Sequence, residues 1–457
     1  MILTIVFGVV GFGIMVFVHE LGHFLAAKRL GIEVEAFSLG WGRRLVGFRY
    51  KGTDYRLSLI PFGGYCKMKG ELPLRAAGAG NSAEATLAPE PGSFFAAAPW
   101  KRMVVAVAGP LANVLFAVLV LTVIWWIGFR VYSDDNRIVL ASDYTLDSFP
   151  TPPPATLAGL QTGDRVVAID GRPVRNFQEL LETVASSPEE DLAFTVQRGG
   201  GARRSIVLRT QLDRSSGSGR IGVYSWRDLV VDKVAPGGAA AMAGLAPGDS
   251  IVSAGGRPTQ HLIDLMQRLR DRPERVELGV QRGAQQLLLS LVMRYSEQGA
   301  PELGLAFRVQ SYRSPKVGPG GALVRGLEET WDTVVMTVKG IGLLFRGVSV
   351  RSAVAGPLRI TYYVGAVATS GFALGVSQGL VSYFRFLCLL SIVLFLMNLL
   401  PIPALDGGQV LVSLLEVLRR RPVPPRLVAR IQTISFSVLL VVAVAVTASD
   451  ILFFMGR

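Results

Sequence analysis

The sequence predicts a polytopic α-helical membrane protein with a folded, soluble insert between two of its spans. Three observations carry that reading. Half of the 457 residues are hydrophobic, and the mean hydropathy is +0.41. Uncharged apolar runs recur near the start, near residue 115 and near the end, and about 20 such residues suffice for a helix to cross a bilayer. Between them, residues 131–310 lose that character and carry an internal repeat.

The charge balance fits the same class. With 47 Lys and Arg against 34 Asp and Glu, the net charge is +13. Such an excess can serve nucleic acid, but no nucleic-acid motif accompanies it and no nucleic-acid partner is expected. The basic residues cluster in short segments beside apolar runs, the pattern of cytoplasmic loops. The two cysteines, Cys66 and Cys388, stand far apart in different settings. Neither a disulfide nor a thiolate metal site is expected. No Lys or Arg precedes the first apolar run, so it reads as a retained span rather than a cleaved signal.

That first span is Ile2–Ala27, closed by Lys28-Arg29. It contains His19-Glu20-Leu21-Gly22-His23. On a helix, residues i and i+4 share a face, so His19 and His23 can offer two ring nitrogens to one zinc ion. Glu20 lies one residue round and can take a proton from a metal-activated water without being a ligand. The rival reading is a chance five-residue match. Its setting argues against chance, because a charged group at mid-membrane costs about 2.5–3.5 kcal/mol.

Residues 28–102 hold 12 Lys and Arg against 6 Asp and Glu, which marks a cytoplasmic loop. Within it, alternation from Asp54 breaks at Pro61-Phe62-Gly63-Gly64 and resumes from Tyr65 to Met68. The pattern predicts a β-hairpin that turns at 61–64. Residues 73–92 are rich in Ala, Gly and Pro and predict a disordered insert. The second span is Met103–Phe129, with Gly109-Pro110-Leu111-Ala112-Asn113 near its cytoplasmic end. Asn113 is polar in lipid and should face the bundle interior, as a packing amide or as part of a site.

The repeat lies in 131–310. Leu157-Ala-Gly-Leu-Gln-Thr-Gly-Asp164 recurs 85 residues later as Met242-Ala-Gly-Leu-Ala-Pro-Gly-Asp249. Each copy continues into a helical stretch (Phe177–Val184, Leu262–Leu269) and an alternating strand (Leu192–Gln197, Val276–Gln281). The doubled A-G-L-x-x-G-D signature resembles paired PDZ domains, which bind extended chain ends by strand addition. His261, in the second copy, is expected to be an ordinary surface residue.

Residues 311–319 form a linker. Leu323–Phe345 mixes charges with apolar residues and predicts an amphipathic helix on the membrane surface. Ile360–Phe384 is uncharged but rich in Gly and Ser. A span, a re-entrant piece and a surface segment all fit it. The third span centres on Phe386–Leu400 and leads through Asn398 to Asp406-Gly407-Gly408. Arg419, Arg420, Arg421, Arg426 and Arg430 mark another cytoplasmic loop, and Ile431–Ser449 is the fourth span. Four spans put both termini and the repeat region on the non-cytoplasmic side.

A catalytic zinc held by two histidines lacks a third protein ligand. Asp406 is the candidate: it is the lone acid after 20 uncharged residues, at the same depth as His19 and His23. A zinc ion would offset its burial. The rival is a plain helix cap. Gly407 and Gly408 are expected to let the backbone bend there.

H-E-L-G-H in a first span, A-G-P-L-A-N in a second, a doubled PDZ signature and N-L-L-P-I-P-A-L-D-G-G late in the chain together resemble the site-2 protease family of intramembrane zinc metalloproteases. The likeness covers nearly the whole chain in the family's order. It implies Zn²⁺ on His19, His23 and Asp406, with Glu20 as the catalytic carboxylate. Asn113 and Asn398 match asparagines of the family's substrate path. The loop carrying Gly63, Gly64 and Tyr65 is similar to the family's membrane-embedded β-loop, which holds the substrate as an added strand. The resemblance further implies a multi-pass protein of the bacterial cytoplasmic (inner) membrane, with its PDZ pair outside as a size filter. Substrates would be single-span proteins of the anti-sigma-factor type, already cut on the outer side, and remnant signal peptides. The implied division is 1–30 for the first span, 31–100 for the β-loop region, 101–130 for the second span and 131–213 and 214–296 for the PDZ domains. It continues with 297–360 for the linker and surface helix, 361–418 for the third-span region with L-D-G, and 419–457 for the basic loop and fourth span. A non-catalytic PDZ scaffold or receptor is the alternative, and the intact His19, Glu20, His23 and Asp406 weigh against it.

Overall fold

The computed structural model describes residues 2–70, 90–144, 152–214, 217–296, 299–344 and 355–455. The chain divides into two compact units. The first comprises residues 1–129 and 314–457, the second residues 130–313. The expected insert at 73–92 falls almost wholly outside the described residues, as does Phe345.

Seven helices of the first unit matter here. They are α1 (Ile2–Arg29), α2 (Pro99–Ile127), α3 (Pro319–Leu344), α4 (Pro357–Ala373), α5 (Val376–Asn398), α6 (Asp406–Arg419) and α7 (Pro425–Met455). Among the described residues, four helices are long and apolar enough to cross a membrane: Ile2–Arg29, Pro99–Ile127, Val376–Asn398 and Arg430–Met455. Small residues let them approach, as is usual where lipid removes the hydrophobic drive between helices. A Cβ on Gly8 of α1 would strike the backbone of Thr361 in α4, and one on Gly11 would lie 2.8 Å from Tyr383 Oη in α5. That Tyr383 hydroxyl donates to Phe7 O at 2.9 Å.

The ambiguous stretch 360–384 resolves into two helices. α4 ends at Ala373 and α5 starts at Val376, after Gly375 at φ +123°. Gly371 and Gly379 meet across that joint. The third span therefore begins at Val376, earlier than hydropathy alone indicates. Helix α3 packs along α2 rather than standing apart from it, because Gly326 lets Thr122 and Val118 come close. Glu329 of α3 accepts from Trp125 Nε1 at 2.7 Å and from Arg385 of α5 at 2.8 Å, so this charge of the amphipathic helix joins it to two neighbouring helices. Helix α7 is tied to α4 by Asp450, which is fully buried, pairs with Arg359, and accepts from Gly356 N and Arg359 N at 3.1 Å each.

The loop after α1 is a small sheet of β1 (Val34–Tyr50) and β2 (Thr53–Met68). The tight turn is at Lys51-Gly52, both at positive φ, not at 61–64. Ala36–Leu39 sits between two parts of β2: Ala36 faces Lys67 on one side and Asp54 on the other, and Leu39 faces Gly64 and Leu57. The two alternating runs thus do not pair with each other as a hairpin. Both pair with Ala36–Leu39, and 61–64 is the bend that carries β2 round it. Sequence alternation marks the runs but not their partner, because pairing is set by chain reversal elsewhere.

The second unit contains two similar four-stranded antiparallel sheets. The first is ordered 172–173, 165–169, 191–197, 203–209 and the second 257–258, 250–254, 275–282, 285–292. Each is covered by one helix, Phe177–Ala185 or Leu262–Leu269. The signature aspartates have the same role in both copies. Asp164, fully buried, accepts from Gln161 N at 2.9 Å and pairs with Arg198 at 2.7 and 2.8 Å. Asp249 accepts from Ala246 N at 2.9 Å and pairs with Arg282 at 2.7 Å through both oxygens. The Arg282 guanidinium holds the Asp249 carboxyl below the usual carboxylate range.

His261 is not a surface residue. It is 2% exposed, lies against Trp226 with ring centroids 4.4 Å apart, and caps its helix by accepting from Asp264 N at 3.3 Å. Asn176 does the same in the first copy, accepting from Glu179 N. An imidazole nitrogen with a free lone pair can replace the amide oxygen as a cap, which composition gave no reason to expect. Burial lowers its pKa from the ordinary value near 6.5. Its neutral form is therefore the folded one, and stability is lost as pH falls below that value.

Asp164→Asn should destabilise its copy by about 2 kcal/mol, the size of a charged hydrogen bond lost from a buried acceptor. Limited proteolysis of the intact protein should then cut within 131–213 first. Unchanged protection there would refute this role.

Candidate active site

The site is built on the face where α1 meets α2. Gly22 of α1 has no room for a side chain: a Cβ would strike Ala108 O and lie 2.8 Å from Ala112 Cβ. The two helices consequently pack backbone to backbone at this level. Across the joint, Val105, Gly109 and Asn113 recur every four residues and form one stripe along α2. Each member meets a histidine. His23 Nδ1 donates to Val105 O at 2.8 Å, a Cβ on Gly109 would collide with the His23 ring, and Asn113 Nδ2 donates to His19 Nδ1 at 3.2 Å. Pro110 lies between them and cannot donate to Ala106 O.

Asp406 reaches the same point from the start of α6. It is the first helical residue, after Leu405 as cap, so it is not the cap itself. Its negative charge suits a helix N-terminus. Gly407 and Gly408 are not at positive φ. A Cβ on Gly407 would strike Leu399 O and Leu400 O, and one on Gly408 would strike Ile402 O. They serve close packing of α6 on the turn after α5 rather than a bend. Arg102 of α2 and Glu416 of α6 form a buried ion pair that holds the two helices together.

Three ligating side chains converge. His19 Nε2 lies 3.2 Å from His23 Nε2 and 3.2 Å from Asp406 Oδ2, and His23 Nε2 lies 3.5 Å from Asp406 Oδ1. Ligands at about 2.0–2.1 Å from a tetrahedral zinc would be about 3.3 Å apart. Both histidines are buried, at 8% and 7% exposure. Val105 O can only accept, so the His23 proton is on Nδ1 and Nε2 presents its lone pair. Asp406 Oδ2 is buried and makes no hydrogen bond despite its closeness to His19. His23 Nε2 with its lone pair, His19 Nε2 and an unsatisfied carboxylate oxygen face one point, and this N/O set of three fits zinc with a fourth position for water. Among the described residues, His19, His23 and Asp406 are the one such group.

The other sequence candidates divide. Gly64 lies beside Glu20: a Cβ there would be 3.6 Å from Glu20 Cγ and 3.3 Å from Val16 Cγ1. Gly63 adjoins Trp41, and the Tyr65 ring lies tilted against that ring with centroids 5.4 Å apart. Asn113 is fully buried against His19. Asn398 is the half-buried last residue of α5, on the turn that leads to Asp406. Sequence reasoning missed Gly22, Gly109 and Val105. The four-residue spacing of Val105, Gly109 and Asn113 was the available signal.

Comparison with known proteins follows the same lines. The model of peptidase family M50 matches residues 7–442. A protein of Treponema pallidum (strain Nichols) named "Putative zinc metalloprotease" is 38% identical over 452 residues, covering 99% of each chain. A protein of the same name from Xylella fastidiosa (strain Temecula1) is 30% identical, covering 94% of each. The regulator of sigma-E protease RseP of Escherichia coli (strain K12) is 29% identical over 445 residues, covering 92% of this chain and 91% of that one.

Gly109→Ala should displace the His23 ring and weaken zinc binding at least tenfold, with helix content unchanged. Metal analysis after dialysis against a graded chelator checks it. Wild-type retention would contradict the close-packing account.

Proposed function

The chain belongs to peptidase family M50 and is a zinc metalloprotease, and from that premise we propose that it cleaves peptide bonds inside the membrane-spanning segments of other proteins. The observation that carries the proposal is the location of the donors. His19 and His23 belong to α1, itself long and apolar enough to be a span, and they pack against a second such helix. A soluble-domain protease would not need its ligands there.

In this reading His19, His23 and Asp406 hold the zinc. When bound, zinc polarises the scissile carbonyl and lowers the pKa of water to about 7. Glu20, the residue after the first ligand, takes the water's proton and returns it to the leaving nitrogen. A peptide bond in a transmembrane helix is already hydrogen-bonded, so the helix must be unwound before attack. The part of β2 at 64–68 supports a way to do so. It pairs with Ala36–Leu39 on one side and runs past Glu20 at Gly64. Its other edge would pair with the unwound substrate, with Gly63, Gly64 and Tyr65 as contact residues and Asn398 near the entry.

The relative named regulator of sigma-E protease supports single-span proteins of the anti-sigma-factor type as substrates, after a first outer cut, with signal-peptide remnants as a second class. The same relation supports residence in the bacterial inner membrane. The Lys and Arg asymmetry of the loops supports a site toward the cytoplasm and the two repeated modules outside. Read as PDZ domains, those modules would exclude substrates with bulky outer parts.

Glu20→Gln should keep one zinc per chain and reduce cleavage of a tagged single-span substrate by at least a thousandfold, since the amide cannot accept the proton. Cleavage near the wild-type rate would remove Glu20 as the base. Cleavage of soluble casein but of no membrane-embedded substrate would remove the intramembrane reading.

A further inference from the structure

Asn113 is the one polar side chain of the α2 stripe, and packing alone does not account for it. It is completely buried in a helix that is otherwise apolar at this level. Burying an amide without satisfying it is costly in hydrocarbon-like surroundings. Asn113 is satisfied at one end only. Nδ2 donates to His19 Nδ1 at 3.2 Å, while Oδ1 is buried with no hydrogen-bond partner.

The proton count on His19 explains the mismatch. A neutral imidazole carries one proton. With Asn113 donating to Nδ1, that proton must be on Nε2, the atom 3.2 Å from Asp406 Oδ2 and from His23 Nε2. Ligation through Nε2 requires the opposite tautomer, with the proton on Nδ1 and an acceptor facing it. A half-turn of the Asn113 amide supplies that acceptor. The two ends of an amide have nearly the same shape, so the turn exchanges Nδ2 for Oδ1 in place. It gives Oδ1 a partner and moves Nδ2 to the place that Oδ1 held, so what the turn changes is which His19 nitrogen carries the lone pair.

We infer that Asn113 is a positioning residue of the metal centre: its amide oxygen accepts the Nδ1–H of His19, fixes that tautomer and ring orientation, and leaves Nε2 free to ligate. The inference rests on the reading of His19, His23 and Asp406 as the zinc site. Val105 O performs the same service for His23, at 2.8 Å. The two histidines thus receive their orienting acceptors from one helix, eight residues apart, one from backbone and one from side chain. Partners of this kind change metal affinity by about 10–100-fold when removed.

The test compares zinc affinity of the full-length detergent-solubilised protein by competition with a chelator of known affinity. Asn113→Leu, close in size but without an acceptor, should bind zinc 10–100-fold more weakly. Asn113→Ala should do the same, and is the fallback if leucine prevents folding. Asn113→Asp keeps an acceptor and should stay within a few fold of wild type. A purely structural role would lower thermal stability in all three without this split. Wild-type affinity in both Asn113→Leu and Asn113→Ala overturns the inference, as does a loss in Asn113→Asp equal to that in Asn113→Leu. If His19→Ala retains full zinc affinity, the site reading itself falls, and the role of Asn113 with it.

Discussion

The contact between α1 and α2 at Gly22 and Gly109 is the constraint on which the site depends. Two helices that carried ordinary side chains at these positions would stand apart by the width of those side chains. His23 would then lose Val105 O, His19 would lose Asn113, and neither ring would have a fixed direction. Lipid offers no hydrophobic drive to bring helices together, so the approach must be permitted by missing atoms and held by van der Waals contact. Gly109 lies against the His23 ring and Gly22 against the Ala108 carbonyl, so the same two absences that bring the backbones together also define where the imidazoles lie. The third donor then needs only to arrive from one side. Asp406 does so from the first turn of α6, with Gly407 and Gly408 pressed on the preceding turn and Arg102 and Glu416 joining α6 to α2.

Much of this was legible in the sequence. H-E-x-x-H named His19, Glu20 and His23, because a helix puts i and i+4 on one face. Asp406 stood out as a lone acid after a long uncharged run. The repeat was visible by its own internal likeness, and the four spans by hydropathy. What the sequence did not give has physical causes. The pairing of the loop after α1 is non-local: alternation shows that 54–60 and 65–68 are strands but not that both flank Ala36–Leu39. His261 looked exposed because histidine usually is, yet its ring nitrogen does the capping that Asn176 does in the other copy. The glycines of the L-D-G motif suggested flexibility, whereas their backbone angles are ordinary and their use is close packing.

Several buried polar groups of this unit tie its helices together. Asp450 satisfies the first turn of α4 and pairs with Arg359; Glu329 joins Trp125 to Arg385. These tie helices together where apolar contact discriminates poorly among neighbours. At the junction of α1, α2 and α6 the pattern differs. There a carboxylate oxygen and an amide oxygen are buried without hydrogen bonds, and two histidine nitrogens face each other at 3.2 Å. An unsatisfied carboxylate oxygen and two ring nitrogens facing one point are what a cation site offers, since an ion, not a proton, completes it.

Zinc K-edge X-ray absorption of the wild-type protein tests that claim most directly. The account predicts a first shell of nitrogen and oxygen only, at about 2.0–2.1 Å, with the multiple-scattering signature of two imidazoles. Conversion of Asp406 to Asn should alter the shell. A sulfur scatterer near 2.3 Å, a shell with one imidazole or none, or a spectrum unchanged by Asp406→Asn would contradict the assignment of His19, His23 and Asp406.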